Sequence, residues 1–255
     1  MYLSRQRIVL FFILICCSDF CVGQDVKRFI EEHPLKGKPK FSTEFVYMPG
    51  SLDCSEIHTW HYVADIAPLY HQIYSIKEQK YLFSISMNKR FDSLNRLKEQ
   101  EIYDNNIANP PMVYRIQYTY DSLNRLVAIA GVDPNKQYDA FRELISYNNA
   151  EHTQVEAWYQ KEVETYLIIK KNDSLGRIIE EKQFDNQNNI LQTTTEQYDN
   201  HGDVQSYKIL DNKGHIIVSW VFKYSIYDNA GNWLKQTKYD ANGNPVSEVQ
   251  RVIEY

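Results

Sequence analysis

The chain has 255 residues, a formal net charge of −5 and a mean hydropathy of −0.53. An acidic balance without a basic stripe excludes a nucleic-acid binder held by phosphate contacts. Twenty tyrosines, 11 phenylalanines and 4 tryptophans, with few helix-favouring runs, favour sheet over helix.

Residues 1–23 read as a secretory signal peptide. Arg5 and Arg7 precede an apolar run from Ile8 to Cys17, and Cys21-Val22-Gly23 sets small residues before Gln24. That run is too short to cross a bilayer, and no later run approaches ~20 residues, so no membrane span is expected after the signal. A lipoprotein signal acylated on Cys17 is the alternative; Cys16 is an unusual neighbour for a lipidated cysteine, which favours simple secretion. The protein is therefore expected to be secreted, periplasmic or on the cell surface. Without residues 1–23 the chain keeps 232 residues, a net charge of −6 and one cysteine, Cys54, so it has no intrachain disulfide.

Residues 24–88 read as an N-terminal cap, a degenerate continuation of the meander expected over residues 89–255. Val26 to Glu32 suits one short helix ended before Pro34, and Lys36-Gly37-Lys38-Pro39-Lys40 suits an exposed linker. Phe41 to Tyr47, His58 to Val63, Tyr70 to Ile76 and Tyr81 to Met87 are rich in aromatic and β-branched residues and predict strands.

Residues 89–255 repeat one device, shown best by Tyr120-Asp121-Ser122-Leu123-Asn124-Arg125-Leu126. Its aspartate recurs at Asp92, Asp121, Asp173, Asp185, Asp199, Asp211, Asp228 and Asp240. Three positions on stand Asn95, Asn124, Gly176, Asn188, Gly202, Gly214, Gly231 and Gly243, all residues that enter the left-handed region at least cost. Asp followed by such a residue predicts a type I turn closed by a G1 bulge, hence a β-hairpin. The hairpin pairs the residue before each Asp with the one five after it: Phe91 with Leu97, Tyr120 with Leu126, Phe184 with Ile190, Tyr198 with Val204, Leu210 with Ile216, Tyr227 with Trp233. On the other face it pairs Asp92 with Arg96, Asp121 with Arg125 and Asp173 with Arg177. Asp92 to Asp104, Asp121 to Asp133, Asp173 to Asp185, Asp199 to Asp211 and Asp228 to Asp240 are each 12 apart, an even step that keeps one face buried. The expected fold class is all-β: an antiparallel β-meander of repeated hairpins, a repeat sheet or open shell with one wet face and a thin, tyrosine-rich buried one.

These heptads, with Tyr198-Asp199-Asn200-His201-Gly202 and Tyr227-Asp228-Asn229-Ala230-Gly231-Asn232, resemble the YD repeat of the RHS (rearrangement hot spot) family over about residues 89–255. Large members wind such hairpins into a hollow β-shell around a toxin, and related surface proteins are described as carbohydrate-binding. The resemblance implies a repeat fold, with too few strands here to enclose a cargo.

Few residues suggest chemistry. Cys54, His58 and His61, with His71 beyond, have metal-like types, but Ile57 to Val63 is β-like and a strand sends His58 and His61 to opposite faces. A Cys/His hydrolase using Cys54 to His71 is thus a weaker reading than a buried thiol with surface histidines. The Asp-Asn-x-Gly turns offer one carboxylate each and suit turn capping better than calcium. Trp158, Trp220 and Trp233 are candidates for stacking on a sugar, against the plainer reading that they fill the apolar face. No cofactor is expected. The leading expectation is a non-enzymatic binding or scaffolding module for a glycan or protein. An RHS-derived accessory or immunity protein pairing with a toxin shell is the alternative. Val246 to Tyr255 reads as an edge strand that either docks on the N-terminal segment or accepts a partner's strand.

Overall fold

The computed structural model describes residues 35–37, 39–48, 50–51, 53–63, 66–105, 112–134 and 140–255. The signal peptide expected at residues 1–23, with Cys17, and the helix expected at Val26 to Glu32 lie outside them. The described chain is all-β and contains no helix. Its first eight strands are β1 (Phe41–Tyr47), β2 (Cys54–Val63), β3 (Ile66–Ser75), β4 (Lys80–Phe91), β5 (Leu97–Asp104), β6 (Met112–Tyr120), β7 (Leu126–Val132) and β8 (Phe141–Asn148). The remaining strands are β9 (Thr153–Gln160), β10 (Val163–Asn172), β11 (Ile178–Asp185), β12 (Ile190–Tyr198), β13 (Val204–Asp211), β14 (Ile216–Tyr227), β15 (Trp233–Tyr239) and β16 (Pro245–Glu254).

Turn chemistry sets the register. In the turn after β6, Asn124 N–H donates to Asp121 O (3.1 Å) and Asp121 N–H donates to Arg125 O (2.9 Å). The Asp121 carboxylate accepts from the N–H groups of Leu123 and Arg125, both at 2.9 Å. The same backbone bonds recur at the other seven aspartates, and the residue three on has φ between 59° and 89° in all eight. All six aromatic and aliphatic pairs predicted beside the turns are in register, from Phe91 with Leu97 to Tyr227 with Trp233.

Every strand pairs antiparallel with its sequence neighbours, and β16 pairs with β1, so the sheet is a closed barrel of 16 strands. This corrects the expected open sheet. The register runs from Phe41 opposite Glu254 to Tyr47 opposite Glu248, satisfying the backbone groups that two edges would have left unpaired. The Val246 to Tyr255 edge therefore docks on the N-terminal segment, the first of its two expected fates.

Sixteen strands spaced ~4.8 Å make a wall about 77 Å round, wide enough for an aqueous lumen. The inner face is nevertheless closed to water at many positions. Tyr114 and Glu143 are each 3% exposed and Gln192 is 2% exposed, so side chains fill the barrel there. One inner row is aromatic: Tyr114, Phe141, Trp158 and Tyr166 follow one another at centroid spacings of 5.8, 6.0 and 5.5 Å. Phe141 can cross β7 because Gly131 lies beneath it; a Cβ there would sit 2.0 Å from its ring.

The mid-strand polar stretch Gln192 to Gln197 places Gln192, Thr194 and Glu196 on the buried face. Closure buries the inner face whatever its polarity, and neighbours supply partners to several of its polar groups. Gln192 donates to Gln183 (3.3 Å), and Lys170 pairs with Glu156 at 2.6 Å.

Candidate functional site

A meander places alternate turns at opposite ends of the barrel. One rim carries the turns after β4, β6, β8, β10, β12 and β14, and with them most of the repeated polar residues. There each arginine does more than pair with its own aspartate. Arg96 donates to Asp92 (2.7 Å) and to Asn124 of the next turn (2.8 Å), and its guanidinium lies 4.6 Å from the Tyr120 ring centroid. Tyr120 OH then donates back to Leu97 O (2.9 Å). Arg125 and Tyr147 repeat the arrangement, with Asn149 as the next-turn acceptor and Tyr147 OH on Leu126 O. Arg177 and Tyr198 repeat the stacking and the return bond to Ile178 O. We call this unit the clasp.

Electrostatics agree with the geometry. Hydrogen bonds from Arg96 hold the Asp92 carboxyl below the ordinary carboxylate range, and those from Arg125 and Arg177 do the same for Asp121 and Asp173. Reading Arg96, Arg125 and Arg177 only as partners of their own aspartates missed their second contact. Its sequence signal was available: an arginine four after one aspartate and a tyrosine just before the next device along the rim.

The clasp changes toward the closing seam. Asp203 stands where the arginine would be; Tyr227 OH donates to it (3.1 Å) while His201 stacks on Tyr227 at 4.3 Å. Burial, reinforced by Asp203, raises the Tyr227 phenol. At the next turn Asn232 takes the arginine position, and Tyr255 OH donates to Asp228. Burial pushes the Asp228 carboxyl up, but bonds from Tyr255, Asn232 and Ala230 outweigh it and leave the group lowered. Deeper in the seam, Arg251 donates twice to Glu44 (2.8 and 2.5 Å) and lies 3.5 Å from the centroid of the Trp233 ring. Sequence reasoning missed this buried pair; its partners are 207 residues apart and belong to no repeat.

The other candidates are dispersed. Cys54 Sγ donates to Glu56 O (3.0 Å), His58 meets Glu56 at 3.1 Å, and His61 packs edge-on against Phe41 at 4.4 Å. His71, read as a surface residue, is instead 2% exposed and stacked on Trp60 at 4.9 Å. Burial, aided by nearby His58, lowers its pKa to about 3, so it is neutral at pH 7. Among the described residues, no group of His, Cys, Asp and Glu is arranged to hold a metal ion. Trp158 lies between Phe141 and Tyr166, Trp233 lies under Arg251, and Trp220 packs in the Val204–Tyr207–Ile209 cluster. Trp158 and Trp233 are 8% and 2% exposed, and the three share no open surface.

No family model and no curated protein sequence matches the chain. Among solved structures it is similar to a porin-like protein from Bacteroides uniformis ATCC 8492, at 10% identity over 86% of this chain and 99% of that one, with a TM-score of 0.38. It is also similar to a chain of the TcdB2-TccC3-Cdc42 structure, at 10% identity over 72% of this chain but 11% of that one, TM-score 0.30. A chain of the Photorhabdus luminescens Tc holotoxin pore matches at 10% identity over 76% of this chain and 16% of its own, TM-score 0.19. With TM-scores below 0.5, these likenesses carry no functional argument.

Proposed function

We propose that the chain is an exported, non-enzymatic binding or scaffolding barrel of the cell envelope or exterior, built from YD/RHS-like repeats. The observation that carries this reading is the use of the repeated residues. Aspartates cap turns, arginines and tyrosines clasp neighbouring turns, and the seam residues join the two ends of the array. Groups that would make a hydrolase are separated or, like His71, buried and neutral.

The outer wall supports contact with water. Outward positions in mid-strand carry ion pairs such as Lys182–Glu180 (3.0 Å) and Lys235–Glu248 (2.8 Å). A lipid-facing barrel needs an apolar band ~25 Å tall at that height, where an arginine or lysine at the midplane costs about 2–4 kcal/mol. The signal read at residues 1–23 supports export, with an acylated Cys17 as the means of retention if the protein is anchored.

The test is fractionation of expressing cells with the wild-type chain and Cys17→Ala. Recovery of folded β-structure from the exported fraction without detergent, at least for Cys17→Ala, is the expected result. A requirement for detergent in both chains, together with conductance in planar bilayers, would overturn the reading in favour of a membrane pore.

A further inference from the structure

The segment leading into β1 crosses the rim beside the turn from Asp228 to Asn232, and three contacts there select its chemistry. The first reads backbone. Lys36 N–H donates to Asn232 Oδ1 (2.6 Å), and Asn232 Nδ2 donates to Lys36 O (2.9 Å), so one amide engages both main-chain groups of one residue. The second reads an ammonium: Lys36 Nζ donates to Gly231 O (3.0 Å) and lies 3.5 Å from His201 O. The third admits only glycine. Gly37 has φ +82°, and a Cβ on it would lie 2.8 Å from Cε1 of Tyr255.

The receiving groups are prearranged. Asn232 is 5% exposed; its own N–H is fixed on Asp228 Oδ1 (2.8 Å), and Nδ2 also donates to Tyr255 OH (2.8 Å). Tyr255 is held in turn by its bond to Asp228. Elsewhere on this rim the residue four after the turn aspartate is Arg96, Arg125, Arg177 or Asp203, none of which offers both a donor and an acceptor. Asn232 offers both, which backbone recognition requires.

We propose that this part of the rim, formed by Asn232, Gly231 and His201 with Tyr255 as its wall, is a binding site for a peptide bent at a Lys–Gly pair. The chain's own Lys36–Gly37 occupies it in cis. Tethering gives the internal segment an effective concentration in the millimolar range, so a peptide in trans competes only when the segment is released or abundantly outnumbered. The site stands on these contacts alone and does not depend on where the protein resides.

The experiment uses the full chain and a fluorescein-labelled peptide of residues 35–40, Leu-Lys-Gly-Lys-Pro-Lys, followed by fluorescence anisotropy. Gly37→Val removes the cis ligand by strain and by its clash with Tyr255. Folded Gly37→Val should bind the peptide at least tenfold more tightly than wild type, and adding Asn232→Ala should abolish that gain. A peptide with valine in place of the glycine should not bind. Equal binding to wild type and Gly37→Val, or none to the folded variant, would overturn the proposal. If Gly37→Val does not fold, tryptic cleavage after Lys36 decides the matter. Asn232→Ala should accelerate it at least tenfold with cleavage elsewhere unchanged, and no acceleration would overturn the site.

Discussion

The rim is built in two ways, and the two arcs invite comparison. At the turns of Asp92, Asp121 and Asp173 an arginine stacks on the tyrosine that precedes the next turn, and that tyrosine's hydroxyl returns to a backbone carbonyl; the intervening turn at Asn148 has His152 in the arginine position. From Asp199 to the seam the same positions hold Asp203 and Asn232, and the partners become Tyr227, Tyr255 and the backbone of Lys36. A repeated clasp needs a next repeat. Where the ring closes, the neighbour is a strand with no turn of the same kind, and recognition passes to an amide that can bond any backbone. Internal repeats can use one rule; closure needs its own residues.

If the two arcs differ in this way, the seam is more sensitive than the clasp. Glu44→Ala leaves Arg251 buried without its carboxylate and should cost about 3–5 kcal/mol in urea titrations. Glu44→Met with Arg251→Met should recover most of that loss; if it does not, the pair matters through shape and not charge. Gly231→Val, at φ +81° in the seam turn, should cost about 2 kcal/mol, while Ala230→Val costs under about 1 kcal/mol. Equal costs would refute the left-handed turn.

A further effect is expected at His71, under Trp60. Its folded pKa is lowered from 6.5 to about 3, so protonation favours the unfolded chain. Its stabilising contribution is complete above pH 6.5 and is lost as pH falls toward 3, at about 1.4 kcal/mol per pH unit. His71→Phe keeps a ring against Trp60 and should flatten the stability profile between pH 6.5 and 4.5. An unchanged slope would assign it to other groups, with His61, also lowered by burial, the first to examine. A small effect is expected in the clasp. Tyr147→Phe removes one bond to Leu126 O and keeps the ring under Arg125, so it should cost roughly 1 kcal/mol. A loss comparable to that of Glu44→Ala would erase the distinction between the arcs.

The hairpins were legible because each turn carries its own chemistry within five residues. Asp121 and Asn124 specify a backbone conformation, and that conformation sets Tyr120 opposite Leu126. Closure was not legible, since nothing near Glu44 signals Arg251, and Val246 to Tyr255 has the pattern of an edge strand whether or not a partner waits for it. The burial of Gln192, Thr194 and Glu196 was hidden for the same reason: polarity marks a wet face only while the sheet is open. The rim site at Asn232 was obscured because asparagine at that position also suits a simple bond to its own aspartate, as at Asn189 and Asn244.

The pairing of β1 with β16 has a consequence for how the molecule is made. Synthesis delivers Glu44 first and Arg251 207 residues later, an interval of about 10–40 s at 5–20 residues per second. Throughout it, a nascent strand bearing Phe41, Phe45 and Tyr47 has one flank without its final neighbour, the circumstance in which strands recruit other chains. Lys36, Lys38 and Lys40 stand immediately upstream, where charged gatekeepers oppose such recruitment. Substituting all three lysines with serine should leave the completed barrel intact yet lower its yield through aggregation during biogenesis.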